Sequence, residues 1–201
     1  MDGPPTTTPR RTSGGPVLQD EVTEAITAAF FAELADVGYG RLSLDAVARR
    51  AGAGKAAIYR RWTGKQPMTV ALLSEVAIAA IDVPDTGTLH GDVRQYLATA
   101  REALEHPLVS RIVPDLLAEA TRNPELAEAL LGAVRTPRRN KAALLLQRAI
   151  DRGELPAGTD LETGLDLIGG PLYWRLIVIR SPIDDAYLDR LAARIVGGLL
   201  V

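Results

Sequence analysis

Between Leu18 and Leu34 an apolar side chain returns at every fourth position, as Leu18, Val22, Ile26, Phe30 and Leu34. That spacing lays one apolar stripe along a helix and needs a partner surface to bury it. No segment of the chain shows the apolar–polar alternation of a half-buried strand, and no internal repeat is present. Composition agrees: Ala and Leu dominate, and they lose least on entering a helix. Aromatics make up only 4% of the chain, less than a β-sandwich would want. The fold class expected is all-α.

The punctuation divides the chain into nine helices. The first is expected over Val17–Val37, with Gly38 as its left-handed cap. Ser43 opens a second, Leu44–Ala51, where its hydroxyl can accept an orphan N–H and Asp45 favours the positive end. Gly52-Ala53-Gly54 turns the chain into a third, Lys55–Arg61. Thr63-Gly64-Lys65-Gln66 matches a capping box for the fourth, with Trp62 and Pro67 placed as a hydrophobic staple. The fifth is amphipathic through Leu89, Val93, Leu97, Ala100 and Leu104. Pro107 and Pro114 mark a short sixth. Asn123-Pro124 starts a seventh that runs to Gly153 with a kink expected at Pro137. Thr159-Asp160-Leu161-Glu162 offers a capping box for the eighth, which Gly169-Gly170-Pro171 should loosen. The ninth spans Asp184 to Leu200. Residues 1–16, rich in Pro, Thr and Gly, lack the apolar core of a signal peptide and read as a disordered arm. The most apolar run, Gly164–Ile179, contains Asp166, Pro171 and Arg175, so a soluble, cytoplasmic protein without membrane contact is expected.

Charge is unevenly placed. Residues 41–65 hold seven of the 23 basic side chains (Arg41, Arg49, Arg50, Lys55, Arg60, Arg61, Lys65) and one of the 25 acidic ones, Asp45. The segment is +6 in a chain of −2, the footprint of a polyanion-binding surface. Within it, SLDAVARRAGAGKAAIYRR (residues 43–61) reads as two short helices joined by a tight Gly turn, a helix-turn-helix. Val47 and Ile58 face inward and fix the interhelical angle, with Ala48 and Gly52 small at the approach. Lys55, Ala56, Tyr59 and Arg60 fall on the outer face, which can enter a major groove. Arg49 and Arg50 read equally as a solvated face or as phosphate contacts, and Trp62 as packing under the fourth helix.

Residues 26–73, ITAAFFAELADVGYGRLSLDAVARRAGAGKAAIYRRWTGKQPMTVALL, resemble the DNA-binding domain of the tetracycline-repressor (TetR) family. The pieces in register are Ala28-Ala29-Phe30, Gly38-Tyr39, Leu42-Ser43, Val47-Ala48, Ala51-Gly52, Ile58-Tyr59 and Lys65. The rest resembles the family's larger helical domain, and Gly170-Pro171-Leu172-Tyr173-Trp174-Arg175 resembles a subset common in high-GC actinobacteria. The resemblance implies a two-domain, nine-helix architecture: a DNA-binding domain over 17–65 and a ligand-binding and dimerisation domain over 66–201. It implies phosphate contacts from Ser43, Tyr59 and Lys65, and base-edge contacts from Lys55 and Ala56. Arg60 and Arg61 are added from their charge as phosphate or guanine contacts. Gly54 and Ala57 depart from the larger or polar residues of many members, leaving base readout chiefly to Lys55 and Arg60.

The resemblance further implies a ligand cavity among helices five to seven and a two-fold homodimer through helices eight and nine. Leu188, Leu191, Ile195 and Leu199, with Leu172 and Ile177, form the apolar stripe available for that dimer; an intramolecular core would claim some of the same residues. Tyr96, His106, Arg111 and Trp174 are the polar or aromatic candidates for a mostly apolar effector pocket. A dimer would place two recognition helices roughly 34–36 Å apart on a near-palindromic duplex operator.

Enzymatic chemistry finds no constellation. Gly52-Ala53-Gly54-Lys55-Ala56 fails as a phosphate-binding loop, because Arg49 stands at the first Gly position and Ala56 at the magnesium-binding Ser/Thr. Without Cys there is no thiolate site, and His90 and His106 stand too far apart for a helical metal motif. No cofactor and no metal are expected. The function expected is a dimeric transcriptional regulator, a repressor, that releases its operator on binding a small organic molecule. The alternative is a helical small-molecule or protein-binding dimer without tight DNA binding.

Overall fold

The computed structural model describes residues 16–79 and 83–200, which form nine helices and no strand among the described residues. They are α1 (Pro16–Arg41), α2 (Leu44–Arg50), α3 (Lys55–Tyr59), α4 (Lys65–Ala79), α5 (Leu89–Glu105) and α6 (Pro107–Ala120). α7 covers 124–151, joining Pro124–Leu130, a wide π turn Leu131–Arg135, and Thr136–Asp151. α8 covers 161–178, as Leu161–Tyr173 and the π turn Trp174–Val178, and α9 is Asp185–Leu199. The arm expected over 1–16 lies outside the described residues except for Pro16, which begins α1.

The stripe on α1 is used as its spacing predicts. Ile26, Phe30 and Leu34 are buried, sealed by Val47 of α2, Ile58 of α3 and Met68 and Leu72 of α4. The same cluster takes in Ile112 and Leu116 of α6 and Leu126 of α7. The expected division at residue 65 therefore falls at the start of α4, while the head core continues into the larger unit. A three-helix head has too little apolar surface of its own to close. The second cluster joins Leu89, Val93 and Leu97 of α5, Leu145 and Leu146 of α7, Ile168 and Leu172 of α8, and Leu188, Ile195 and Leu199 of α9. Arg94 pairs with Asp185 and Asp189, and Arg101 with Asp185, clamping α9 along α5. Asp92 is fully buried and satisfied by the Thr86 N–H (2.6 Å), the Thr86 hydroxyl (2.8 Å) and Arg152 Nη2 (2.9 Å).

Several local expectations change. α1 does not stop at Val37: Gly38 (φ 76°, ψ 164°) breaks the helical path, and another short turn follows to Arg41. Ser43 stands at the α2 N-cap, but its hydroxyl makes no capping bond. The kink expected at Pro137 is a π turn just before it, with Thr136 N–H reaching back to Leu131 O. Pro137 has no N–H and its ring crowds the carbonyl of Ala133, which the wider turn relieves. Gly169-Gly170-Pro171 stays helical, and the widening comes after it, at Trp174–Val178.

The α8 cap is Asp160 rather than Thr159. Its carboxylate accepts the N–H of Glu162 (3.0 Å) and of Thr163 (3.3 Å) and the Thr163 hydroxyl (2.6 Å). The Thr163 hydroxyl above all, with these N–H groups, holds its carboxyl below the ordinary range. A lowered folded-state pKa contributes stability above the unfolded value, lost as pH falls through the folded one. Asp160→Asn is expected to flatten the acid limb of the urea midpoint plotted against pH, below about pH 4. Identical acid limbs in the two proteins would remove this cap from the pH dependence.

Candidate nucleic-acid interface

α2 and α3 meet through a turn built on Gly52 (φ 62°), where Ala53 N–H closes onto Ala48 O at 3.0 Å. Gly is the residue that enters this left-handed conformation without strain. Val47 and Ile58 are completely buried at the crossing and Ala48 nearly so, locking the angle between the two helices. With Ile58 and Ala57 turned inward, α3 has only one free face. Lys55, Ala56, Tyr59 and Arg60 are exposed on it, Tyr59 to 54%. A phenol left in solvent beside two cations is well placed to donate to a phosphate.

Lys55 is tied to Asp45 of α2, both side chains well exposed. Such a surface pair is worth at most about 1 kcal/mol and yields readily to a phosphate or a guanine edge. Ser43, exposed and extended with its hydroxyl uncommitted to a cap, lies at the start of α2. Two of the expected contacts turn toward the protein. Arg61 Nη1 donates to Ala57 O at 2.9 Å, one turn back along the chain. Lys65 Nζ donates to Tyr39 O at 3.0 Å and sits 4.4 Å from the centre of the Tyr39 ring. Lys65 thereby pins the end of α1 to the start of α4. Of the two arginines on α2, Arg50 is held by Asp36 (2.6 Å) and Glu33 (3.6 Å), while Arg49 is exposed. The Arg50 hydrogen bond is the main reason Asp36 titrates below its ordinary range.

The head joins the body at contacts no local pattern announces. Asp115 of α6 accepts the Tyr39 N–H at 2.7 Å, a pairing across 76 positions. A Cβ on Gly38 would stand 2.5 Å from Asp115 Oδ1, so this close approach also requires glycine. Asp36, already bound to Arg50, lies 3.5 Å from Arg111 of α6.

The four expected pocket residues are not brought together. Arg111 lines an open cleft of about 770 Å³ between α1, α6 and the end of α8. Tyr96 is half-buried against the second core cluster. His106 is exposed and caps α6, its Nδ1 accepting the Leu108 N–H at 3.3 Å. Trp174 is 59% exposed on the outside of α8. The expected dimer stripe lies mostly within the chain's own core. Leu172, Ile177, Leu188, Ile195 and Leu199 are buried within the single chain, and Leu191 packs against the same core. The apolar residues left outside on α8 are Leu167, Trp174 and Val178, with Leu200 just beyond α9. Their spacing of seven and four puts the α8 three on one face.

Comparison with known proteins agrees with this anatomy. The profile described as "Bacterial regulatory proteins, tetR family" matches residues 26–72, and "Tetracyclin repressor-like, C-terminal domain" matches 83–195. The chain is 31% identical over 185 residues to the "Uncharacterized HTH-type transcriptional regulator YdeS" of Bacillus subtilis, covering 90% of this chain and 91% of that one. It is 34% identical over 157 residues to the "DNA-binding transcriptional repressor TetR" of Mycobacteroides abscessus, covering 77% and 80%. The crystal structure of the regulator FadR from Bacillus subtilis, solved in complex with stearoyl-CoA, superposes with a TM-score of 0.67 at 20% identity, over 89% of this chain and 97% of that one. With a basic helix-turn-helix, a second helical core and both halves matched, the chain belongs to the TetR family of transcriptional regulators.

Proposed function

We propose that the chain is a homodimeric repressor that holds a near-palindromic operator and releases it when a small organic molecule binds. The observation that carries this reading is the outer face of α3, where Lys55, Ala56, Tyr59 and Arg60 stand exposed while Ile58 anchors the helix beneath. Ser43 and Arg49, exposed on the neighbouring segment, supply further phosphate contacts. Arg61 and Lys65, which donate to Ala57 O and Tyr39 O, keep further donors for the phosphate backbone. We read 17–65 as the DNA-binding unit and 66–201 as the effector and dimerisation unit, with α4 shared between them.

Two copies are needed because one short recognition helix reads too few bases. The outer face of α8, with Leu167, Trp174 and Val178, and the exposed small residues Ala193 and Gly197 of α9 form the surface we assign to the two-fold contact. Ligand binding then favours a spacing of the heads that cannot span successive major grooves, and its differential affinity sets how far the equilibrium moves. Among the described residues no helix is long and apolar enough to cross a membrane. We place the protein in the cytoplasm with its duplex and assign it no catalytic turnover.

Selection from a random duplex library is the direct test. It is expected to enrich a near-palindrome with half-site centres about 10 base pairs apart. Affinity for that duplex should fall steeply with salt, with a log–log slope of about −0.9 per phosphate neutralised. Absence of enrichment at low salt would overturn the repressor reading and leave a helical ligand- or protein-binding dimer.

A further inference from the structure

The cleft at the junction of head and body has an unbalanced set of partners. Leu34, Val37 and Gly38 of α1 form one side, Arg111 and Asp115 of α6 another, and Ile177 with the segment to Pro182 the third. Of its acids, Asp115 accepts the Tyr39 N–H at 2.7 Å, and Glu105 lies 4.0 Å from Arg101. Neither of its cations makes a hydrogen bond among the described residues. Arg111 approaches Asp36 only to 3.5 Å, with its side chain 57% exposed. Arg180 has no hydrogen-bond or ion-pair partner among the described residues. Arg180 also holds φ 51°, the one non-glycine left-handed residue among those described. It follows the end of α8, where a glycine would adopt this conformation at lower cost. Water satisfies the charge of exposed Arg180, so its left-handed backbone on the wall of a cavity is the feature that points to function.

The cleft touches both units. Asp36 divides its carboxylate between Arg50 of α2, through Oδ2, and Arg111, through Oδ1. Whatever draws Arg111 into the cleft loosens one of the two holds on the residue that braces α2. We propose that the cleft binds a small organic carboxylate, its anionic group on Arg111 and Arg180 and its apolar body against Val37, Pro114 and Ile177, and that occupancy reaches α2 through Asp36. This site deepens the effector-responsive reading above and rests on it for its consequence at the operator.

The test uses naphthalene-2-carboxylate and its neutral isostere naphthalene-2-carboxamide, titrated calorimetrically into the full chain. The carboxylate is expected to bind about tenfold or more tightly than the amide, as charge-assisted bonds to arginine require. Arg111→Gln/Arg180→Gln should erase that preference. Arg180→Gly should erase most of it while raising Tm by roughly 2–4 °C, because the strain disappears. A purely structural Arg180 would give the rise in Tm with the preference intact. Equal binding of the two probes, no binding of the carboxylate, or a preference that survives either variant would overturn the proposal. The same proteins are assayed on the selected duplex, where the carboxylate should weaken wild-type binding and leave the double variant's unchanged. Duplex binding together with indifference to the arginines overturns the cleft and spares the regulator. An arginine-dependent preference without any duplex binding does the reverse.

Discussion

Lys55→Ala/Tyr59→Ala weakens binding to the selected operator by about 100-fold, from roughly 1–3 kcal/mol at each contact. Both side chains are exposed and neither belongs to a buried cluster. The only local loss is the surface pair of Lys55 with Asp45, so Tm should move by no more than about 2 °C. The salt slope should fall by about one, because one cation has gone. The two single variants should differ in kind. Tyr59→Phe removes only the hydroxyl and should weaken all duplexes alike, as loss of a phosphate contact does. Lys55→Ala should relax preference at one base position in each half-site, as loss of a base-edge contact does. Unchanged affinity in the double variant, with the fold intact by circular dichroism, would remove the outer face of α3 from the interface.

Gly38→Ala should destabilise the folded chain by about 3 kcal/mol, a fall in Tm of about 10 °C. Two causes act together. At φ 76° and ψ 164° the backbone lies in a region open essentially to glycine alone. The added methyl would also meet Asp115 Oδ1 at 2.5 Å, displacing the acceptor of the Tyr39 N–H. A double-mutant cycle separates them. In an Asp115→Ala background the clash and the bond are both absent, so Gly38→Ala should cost only the backbone strain, about 1–2 kcal/mol less than in wild type. Strict additivity would mean that Asp115 yields without penalty and that strain carries the whole effect. Urea melts of the four proteins decide it.

Much of the head is written locally. The four-residue repeat through Ile26, Phe30 and Leu34 is the buried stripe of α1, and Val47 and Ile58 are the crossing point of α2 and α3. Gly38 and Gly52 stand where the backbone takes positive φ, and Asn123 caps the helix that Pro124 opens. These features are readable because each is decided within one or two turns of chain, by rotamer, cap or turn geometry. The face of α3 is equally local: once Ile58 is inside, helix geometry puts Lys55, Ala56, Tyr59 and Arg60 outside.

Two placements lay beyond any local pattern for one reason. The resemblance implies a phosphate contact for Lys65, and charge suggests one for Arg61; without DNA each donates to the acceptor that packing brings near, Tyr39 O and Ala57 O. The stripe Leu188, Leu191, Ile195 and Leu199 was correctly apolar, yet periodicity says only that a face is covered, not whether the same chain or a second one covers it. The fold gives that face to α5, α7 and α8, and leaves Leu167, Trp174 and Val178 outside.

By itself, then, the order of residues determined a helical chain with a basic helix-turn-helix, because helix stripes, caps and glycine turns act over a few residues. Only the tertiary structure decided where head and body share a core, that Asp36 and Asp115 join α1 to α6, and that Arg111 and Arg180 line one cleft. Those contacts pair residues tens of positions apart, and their energy exists only once the helices have packed.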